Sequence, residues 1–302
     1  MNWTLKSVLP SMDLGWNHVR ARCGRSTCHN KLLTRPISPR GTGIRMGNEW
    51  YCGVDCFVAA ARSPLAALAA RRVMEMPRNP RLSLGLALLA KGFLTEEQLR
   101  LAVDQSHLSG EDVENTLLRL GLTSDKQLAA ARAAQWGYPV LSQERPGHRV
   151  EVDIPQAVLW SFSAAPLFYS ASAKRLVLGF VERVDHRLLL SIEQVTGCRA
   201  EPCFLTQAEF ADQMLCVVAP AGYREVVVEE PGEPGQMART LGRCAQDVAA
   251  TDADFVQCKG WVWARLTGKR GTVDVLFART CLAAAPQFSA SPLTPETVGA
   301  AG

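Results

Sequence analysis

The sequence predicts an α+β chain: a small four-cysteine zinc module, then tandem helical hairpins packed with a small α+β layer, then a β-hairpin appendage. Three observations lead there. Two close cysteine pairs lie near the start, Cys23/Cys28 and Cys52/Cys56. A leucine-rich helical unit recurs at an offset of 29 residues, seen when Gly92 is laid on Gly121. Beyond Pro139 the apolar pattern switches from helical spacing to short alternating runs bounded by turn residues.

The 302 residues leave room for two compact domains and linkers, and 47% hydrophobic with 21% charged residues is an ordinary globular balance. No apolar run approaches the roughly 20 residues that span a bilayer. Residues 1–17 carry Lys6, Asp13 and Pro10 and lack the apolar core and cleavage site of a secretory signal. A cytoplasmic protein without membrane insertion is therefore expected. In a reducing compartment, clustered cysteines are metal ligands more often than disulfides, and scattered ones are small buried hydrophobes.

The head, 18–62, holds the clustered cysteines as Cys23-x4-Cys28 and Cys52-x3-Cys56. Each pair supplies two thiolates from one turn and the loop between closes a tetrahedral shell, which suits Zn²⁺. Trp50-Tyr51 reads as a strand into the second pair and 57–61 as a helix leaving it, an arrangement that resembles treble-clef zinc modules. His29 is an alternative ligand in place of Cys28. Four thiolates leave no open position, so the expected role is structural. The net charge of +4 is uneven: residues 1–80 carry 12 Lys and Arg against 4 Asp and Glu, a surplus of +8, leaving −4 for the rest. Arg20, Arg22, Arg25, Lys31, Arg35, Arg40 and Arg45 either contact an acidic partner such as nucleic acid or form a solvated surface.

Residues 63–81 read as a helix and linker, broken at Met76-Pro77-Arg78-Asn79-Pro80. In 82–215, Leu84, Leu88 and Leu89 recur at helical spacing and stop at Gly92. Thr95-Glu96-Glu97-Gln98 is a capping box opening a helix with Leu99, Ala102 and Val103. The unit repeats with Leu117, Leu118, Gly121, Ser124-Asp125-Lys126-Gln127 and Leu128, so Leu88/Leu117, Leu89/Leu118 and Leu99/Leu128 align. Such repeats bury their faces against each other. A helix over 154–162, a hairpin from 166–169 and 175–181, a helix over 185–195 ending at Gly197 and a strand over 199–205 complete a small α+β layer. The segment 223–280 reads as a β-rich appendage in which 255–266 and 272–277 flank Thr267-Gly268-Lys269-Arg270-Gly271, and 281–302 as a disordered tail.

The stretch from Leu84-Gly85-Leu86 through Gly92-Phe93-Leu94-Thr95-Glu96-Glu97-Gln98-Leu99, its repeat from Gly121 to Leu128, Gln135-Trp136-Gly137-Tyr138-Pro139 and Val195-Thr196-Gly197 together resemble the MshE-type N-terminal domain of type II secretion and type IV pilus assembly ATPases. The resemblance covers about two fifths of the chain and implies docking onto a protein partner of a secretion or pilus platform. In some members tandem copies of the motif bind cyclic di-GMP. Carried over, that implies a nucleotide face of Leu84, Gly85, Leu88, Gly92, Leu99, Leu117, Gly121, Leu128 and Gln135.

The family motif begins Arg-Leu-Gly, and this chain departs from it. Ser83 stands at the first Arg position, Gln105 falls one residue short of the expected Gln at Ser106, and Asp112-Val113-Glu114 replaces the second Arg-Leu-Gly. A carboxylate facing a phosphate costs on the order of 1 kcal/mol or more. The motor signature Gly-x-x-x-x-Gly-Lys-[Ser/Thr] does not occur, since Gly268-Lys269-Arg270 lacks both the earlier glycine and the hydroxyl. The expected function is a non-catalytic adaptor binding a protein of a secretion or pilus-like system. A cyclic di-GMP sensor and a zinc-dependent nucleic-acid-binding regulator are the rivals.

Overall fold

The computed structural model describes residues 23–28, 43–71, 82–141, 149–170 and 172–279. His29, Arg20, Arg22, Lys31, Arg35, Arg40, the linker over 72–81 and the tail over 281–302 lie outside the described residues. The α+β class holds, with helices and strands interleaved along the chain. No helix among the described residues is long and apolar enough to cross a membrane.

The head contributes a hairpin, β1 (Ile44–Met46) and β2 (Glu49–Tyr51), turned at Gly47, whose φ of 59° is a conformation that side chains rarely adopt. Helix α1 (Val54–Ala70) follows and runs unbroken past position 62, so head and predicted linker helix are one element.

Four helices form the repeat: α2 (Leu84–Ala90), α3 (Glu96–Ser109), α4 (Val113–Arg119) and α5 (Asp125–Trp136). Both predicted capping boxes are present, Thr95 with Gln98 and Ser124 with Gln127. Gly92 and Gly121 sit just beyond the C-caps of α2 and α4 with φ of 68° and 66°, the left-handed stop that lets the chain double back. Ala87, Leu88, Leu94, Ala102, Leu117, Leu128 and Ala131 form the shared core. Thr95→Ala removes one half of a capping box and is expected to lower stability by about 1 kcal/mol, read as a fall in thermal midpoint with unchanged secondary structure.

The α+β layer runs β3 (Val150–Glu151), α6 (Gln156–Ser161), β4 (Ala164–Ser170), β5 (Arg175–Phe180), α7 (His186–Thr196), β6 (Arg199–Phe204), α8 (Gln207–Met214) and β7 (Val217–Val218). Its sheet is ordered β4-β5-β6, antiparallel then parallel, as the helix, hairpin, helix, strand pattern predicts. Asp185 caps α7 and Gly197 ends it. The repeat joins this layer through Phe204, whose N–H donates to Pro139 O and whose carbonyl accepts from Leu141 N.

The last segment departs from its predicted form. It contains β8 (Tyr223–Val228), a helix α9 (Pro234–Val248), and the meander β9 (Ala250–Cys258), β10 (Trp261–Gly268) and β11 (Gly271–Ala278). The run over 255–266 is two strands, because Lys259-Gly260 turns the chain and Lys259 adopts φ of 42°. Nor is the segment an appendage separate from the head. One six-stranded sheet is ordered β2-β1-β9-β10-β11-β8, and β1 runs parallel to β9 with Arg45 opposite Asp252. Those two side chains pair at 2.5 Å.

The physical reason is burial. Period-2 alternation gives β10 and β11 two apolar faces. Val262, Ala264, Leu266, Val273, Val275 and Phe277 face a core shared with Phe57, Ala61 and Leu65 of α1 and Met237, Ala238 and Leu241 of α9. Trp263 and Leu276 join the core of the α+β layer on the opposite face. The short cysteine-bearing head and the helix-plus-meander would each leave one face wet, and packed together they cover it.

Candidate metal centre and repeat face

Cys23 enters the centre from a parallel bridge to Trp50, fixed by Gly24 N–H donating to Trp50 O at 2.9 Å. A tight turn brings Cys28 round, its N–H donating to Arg25 O at 3.1 Å. Cys52 follows β2 directly, and Cys56 lies in the first turn of α1. The order is turn, hairpin, helix, which is that of a treble clef.

The four Sγ atoms lie within 4.8 Å of one another. Cys28 to Cys52 is 3.6 Å, Cys52 to Cys56 is 3.7 Å and Cys56 to Cys28 is 3.7 Å. A disulfide needs sulfurs about 2.05 Å apart, so these cysteines are not joined in disulfides. Four sulfurs held about 2.3 Å from a central Zn²⁺ stand about 3.8 Å from each other at tetrahedral corners. The donor set therefore fits that ion in spacing and in chemistry. Burial, then the hydrogen bonds with Cys28, Cys56 and Cys23, pushes the Cys52 thiol up to about 12, and burial pushes Cys56 up as well. Crowded thiols of this kind hold their protons unless a cation compensates the thiolate charge.

The residues that the resemblance places on a nucleotide face have other work in the fold. Leu88, Leu117 and Leu128 are buried in the repeat core, with Leu84 and Leu99 packed against it. Gly85 faces Leu99, whose Cδ atoms would lie 3.1–3.2 Å from an added Cβ, so glycine here permits close approach of α2 to α3. Gln135 donates from Nε2 to Leu82 O at 2.6 Å and ties the end of the repeat to its beginning.

In the second copy, Asp112 caps α4 by accepting from Glu114 N. Glu114 forms an ion pair with Arg132 of α5, and Arg132 also donates to Val181 O at 2.9 Å. Ser106 donates to Glu111 O at 2.6 Å. The buried Arg132 is thus matched by a carboxylate of the chain itself, at the position where the first copy has Gly85.

A second buried polar cluster was not anticipated. Arg265 of β10 forks onto Asp274 of β11, with Nε to Oδ1 at 2.9 Å and a second nitrogen to Oδ2 at 2.6 Å. It also reaches Asp153 Oδ2 at 3.0 Å, and Tyr223 OH donates to Asp274 at 2.8 Å. Burial opposes the guanidinium charge, and the Asp274 carboxylate more than offsets this and raises the Arg265 pKa. The signal was available: counting outward from the Gly268/Gly271 turn pairs Arg265 with Asp274 on one face of the hairpin.

With this geometry in view, part of the chain is similar to a pilus assembly ATPase and to solved chains of MshE and XpsE. The particular relatives are these. The type IV pilus assembly ATPase PilB of Thermus thermophilus is 28% identical over 133 residues, 42% of this chain and 14% of PilB, so the chain spans only a small part of that relative's length. A structure of MshE with cdg is 23% identical, covering 44% of this chain and 97% of that one at a TM-score of 0.37. The N-terminal domain of XpsE is 22% identical, covering 48% and 99% at 0.35. No protein-family model matches the chain.

Proposed function

We propose that this chain is a non-catalytic adaptor or regulator that binds a protein partner of a type II secretion or type IV pilus-like system, with Zn²⁺ as a structural ion at Cys23, Cys28, Cys52 and Cys56. The observation that carries the reading is the paired repeat of capped helical hairpins, in a chain that is in part similar to PilB, with its second copy closed by its own charges. Glu114 neutralises Arg132 from within, so a phosphate entering there meets a carboxylate and has no unmatched cation among these two. Gln135 is likewise engaged with Leu82. A scaffold of this kind keeps its packing surfaces while its ligand face is spent on internal contacts.

The rival reading, a cyclic di-GMP sensor, draws on the first copy, where Leu84, Gly85, Leu88, Gly92 and Leu99 are all retained. Calorimetric titration with cyclic di-GMP is expected to give no saturable heat, while direct binding to a purified platform component proceeds equally with and without the nucleotide. Micromolar binding lost on Gly85→Leu or Gln135→Ala would replace the adaptor with the sensor. The third reading, nucleic-acid binding, predicts an affinity that falls steeply with salt and depends on Arg22 and Arg25.

A further inference from the structure

We infer that the ion at the four cysteines controls the order of the remote segment over 223–279, so that the head and the C-terminal meander form one metal-dependent unit beside a metal-independent helical repeat. The inference rests on the reading that Cys23, Cys28, Cys52 and Cys56 hold Zn²⁺.

Three independent features of the chain converge on it. The first is how α1 begins. Helices α2, α3, α4, α5, α7 and α8 each start with a Ser, Thr or Asp side chain accepting from their first turn. Helix α1 starts at Gly53 with no side-chain cap, and it carries Pro64 in its interior. Pro64 removes a backbone hydrogen bond from the helix interior and weakens α1 by itself, and Gly53 offers no side-chain acceptor to its first turn. Its start lies between Cys52 and Cys56, so a shared ion would fix the first turn in place of a cap.

The second feature is what α1 covers. Phe57, Ala61 and Leu65 are fully buried against α9 and the sheet. At Gly242 of α9 an added Cβ would lie 2.5 Å from Val58 Cγ2, which places the two helices in direct contact along this seam. Releasing α1 would expose the apolar face of α9 and that of Val262, Ala264, Val273 and Val275 behind it.

The third is the sheet. Strand β1, between the two cysteine pairs, extends the meander through its pairing with β9. Loss of the centre therefore removes a helix from one face of the unit and a strand pair from its edge. Among the described residues the repeat has its own core of Leu88, Leu117 and Leu128, which has no residue in common with the core of that seam.

The test is amide hydrogen exchange on the full chain, loaded with one equivalent of zinc and then stripped with a chelator. Loss of protection is expected in α1, α9 and β9–β11, with α2–α5 still protected. Loosening confined to residues 23–56 overturns the inference, as does uniform loss through the repeat. Linkage supplies the converse arm, since an ion that orders the seam must be weakened when the seam is broken. Gly242→Leu leaves every cysteine in place, and the apparent zinc Kd by chelator competition is expected to rise by roughly tenfold or more. Unchanged zinc affinity in a Gly242→Leu protein whose α1 has lost protection rejects the coupling. A wild-type chain that takes up no zinc rejects the metal reading itself and the inference with it, whereas zinc uptake with purely local loosening rejects the inference alone.

Discussion

Replacing Cys56 with serine is expected to abolish stoichiometric zinc binding and to produce the largest fall in stability of any single substitution in the chain. Cys56 projects from the first turn of α1, and its sulfur lies 3.7 Å from those of both Cys28 and Cys52. Serine keeps the volume but offers a hydroxyl that does not deprotonate near neutral pH, so the fourth thiolate is lost. Structural zinc contributes about 10–16 kcal/mol of apparent binding energy in small finger peptides, most of which appears as folding energy. Even a fraction of that is comparable with the whole stability margin of an ordinary domain, about 5–15 kcal/mol. Metal content per chain and thermal unfolding measured on the same sample read both effects. Cys244→Ser is the control: Cys244 lies buried in the same core yet outside the cluster, and it should keep one zinc per chain. Retention of one zinc by the Cys56→Ser protein would mean that the ion sits on other residues.

Legibility in the sequence followed the range of the interactions. The repeat was readable because its determinants are local: capping boxes that span three residues, glycines at left-handed stops and leucines at helical spacing all act within one hairpin. The cysteine spacing was readable for the same reason, each pair being one turn. What escaped was long-range. Nothing in 44–46 says that this strand will lie beside 250–258, because a parallel pairing is set by which faces need covering and not by turn chemistry. Helix α9 was missed although Met237, Leu241, Ala245 and Val248 follow helical spacing, since the flanking Pro and Gly residues draw attention to turns. Glu114 illustrates a subtler limit. Its charge was visible as a mismatch to a phosphate ligand, but the partner that explains it, Arg132, sits eighteen residues away on the next helix.

Arg265→Met is expected to destabilise the chain by about 3–5 kcal/mol, because it strands a buried carboxylate. Asp274 is fully buried, and its side-chain partners are Arg265 and the Tyr223 hydroxyl. Removing the guanidinium leaves that carboxylate without a countercharge, and Asp153 loses its ion pair at the same time. The pair need not be stabilising relative to an apolar core, since burying both charges has its own desolvation cost. That distinction can be measured. If Arg265→Met is combined with Asp274→Leu, the double variant should be considerably more stable than Arg265→Met alone, and the coupling between the two sites should appear as a large non-additive term in a double-mutant cycle. Additive losses would mean that the two residues contribute separately through packing. The location gives the cluster its consequence, because Asp153 belongs to the α+β layer while Arg265 and Asp274 belong to the six-stranded sheet. Glu225 of β8 adds a second tie across the same boundary by accepting from Gln156 N and Ala157 N at the start of α6. Loss of Arg265 is therefore expected to loosen the sheet from the layer it covers before either unfolds, seen as early exchange of the amides in β3 and α6 at temperatures where α3 and α5 remain protected.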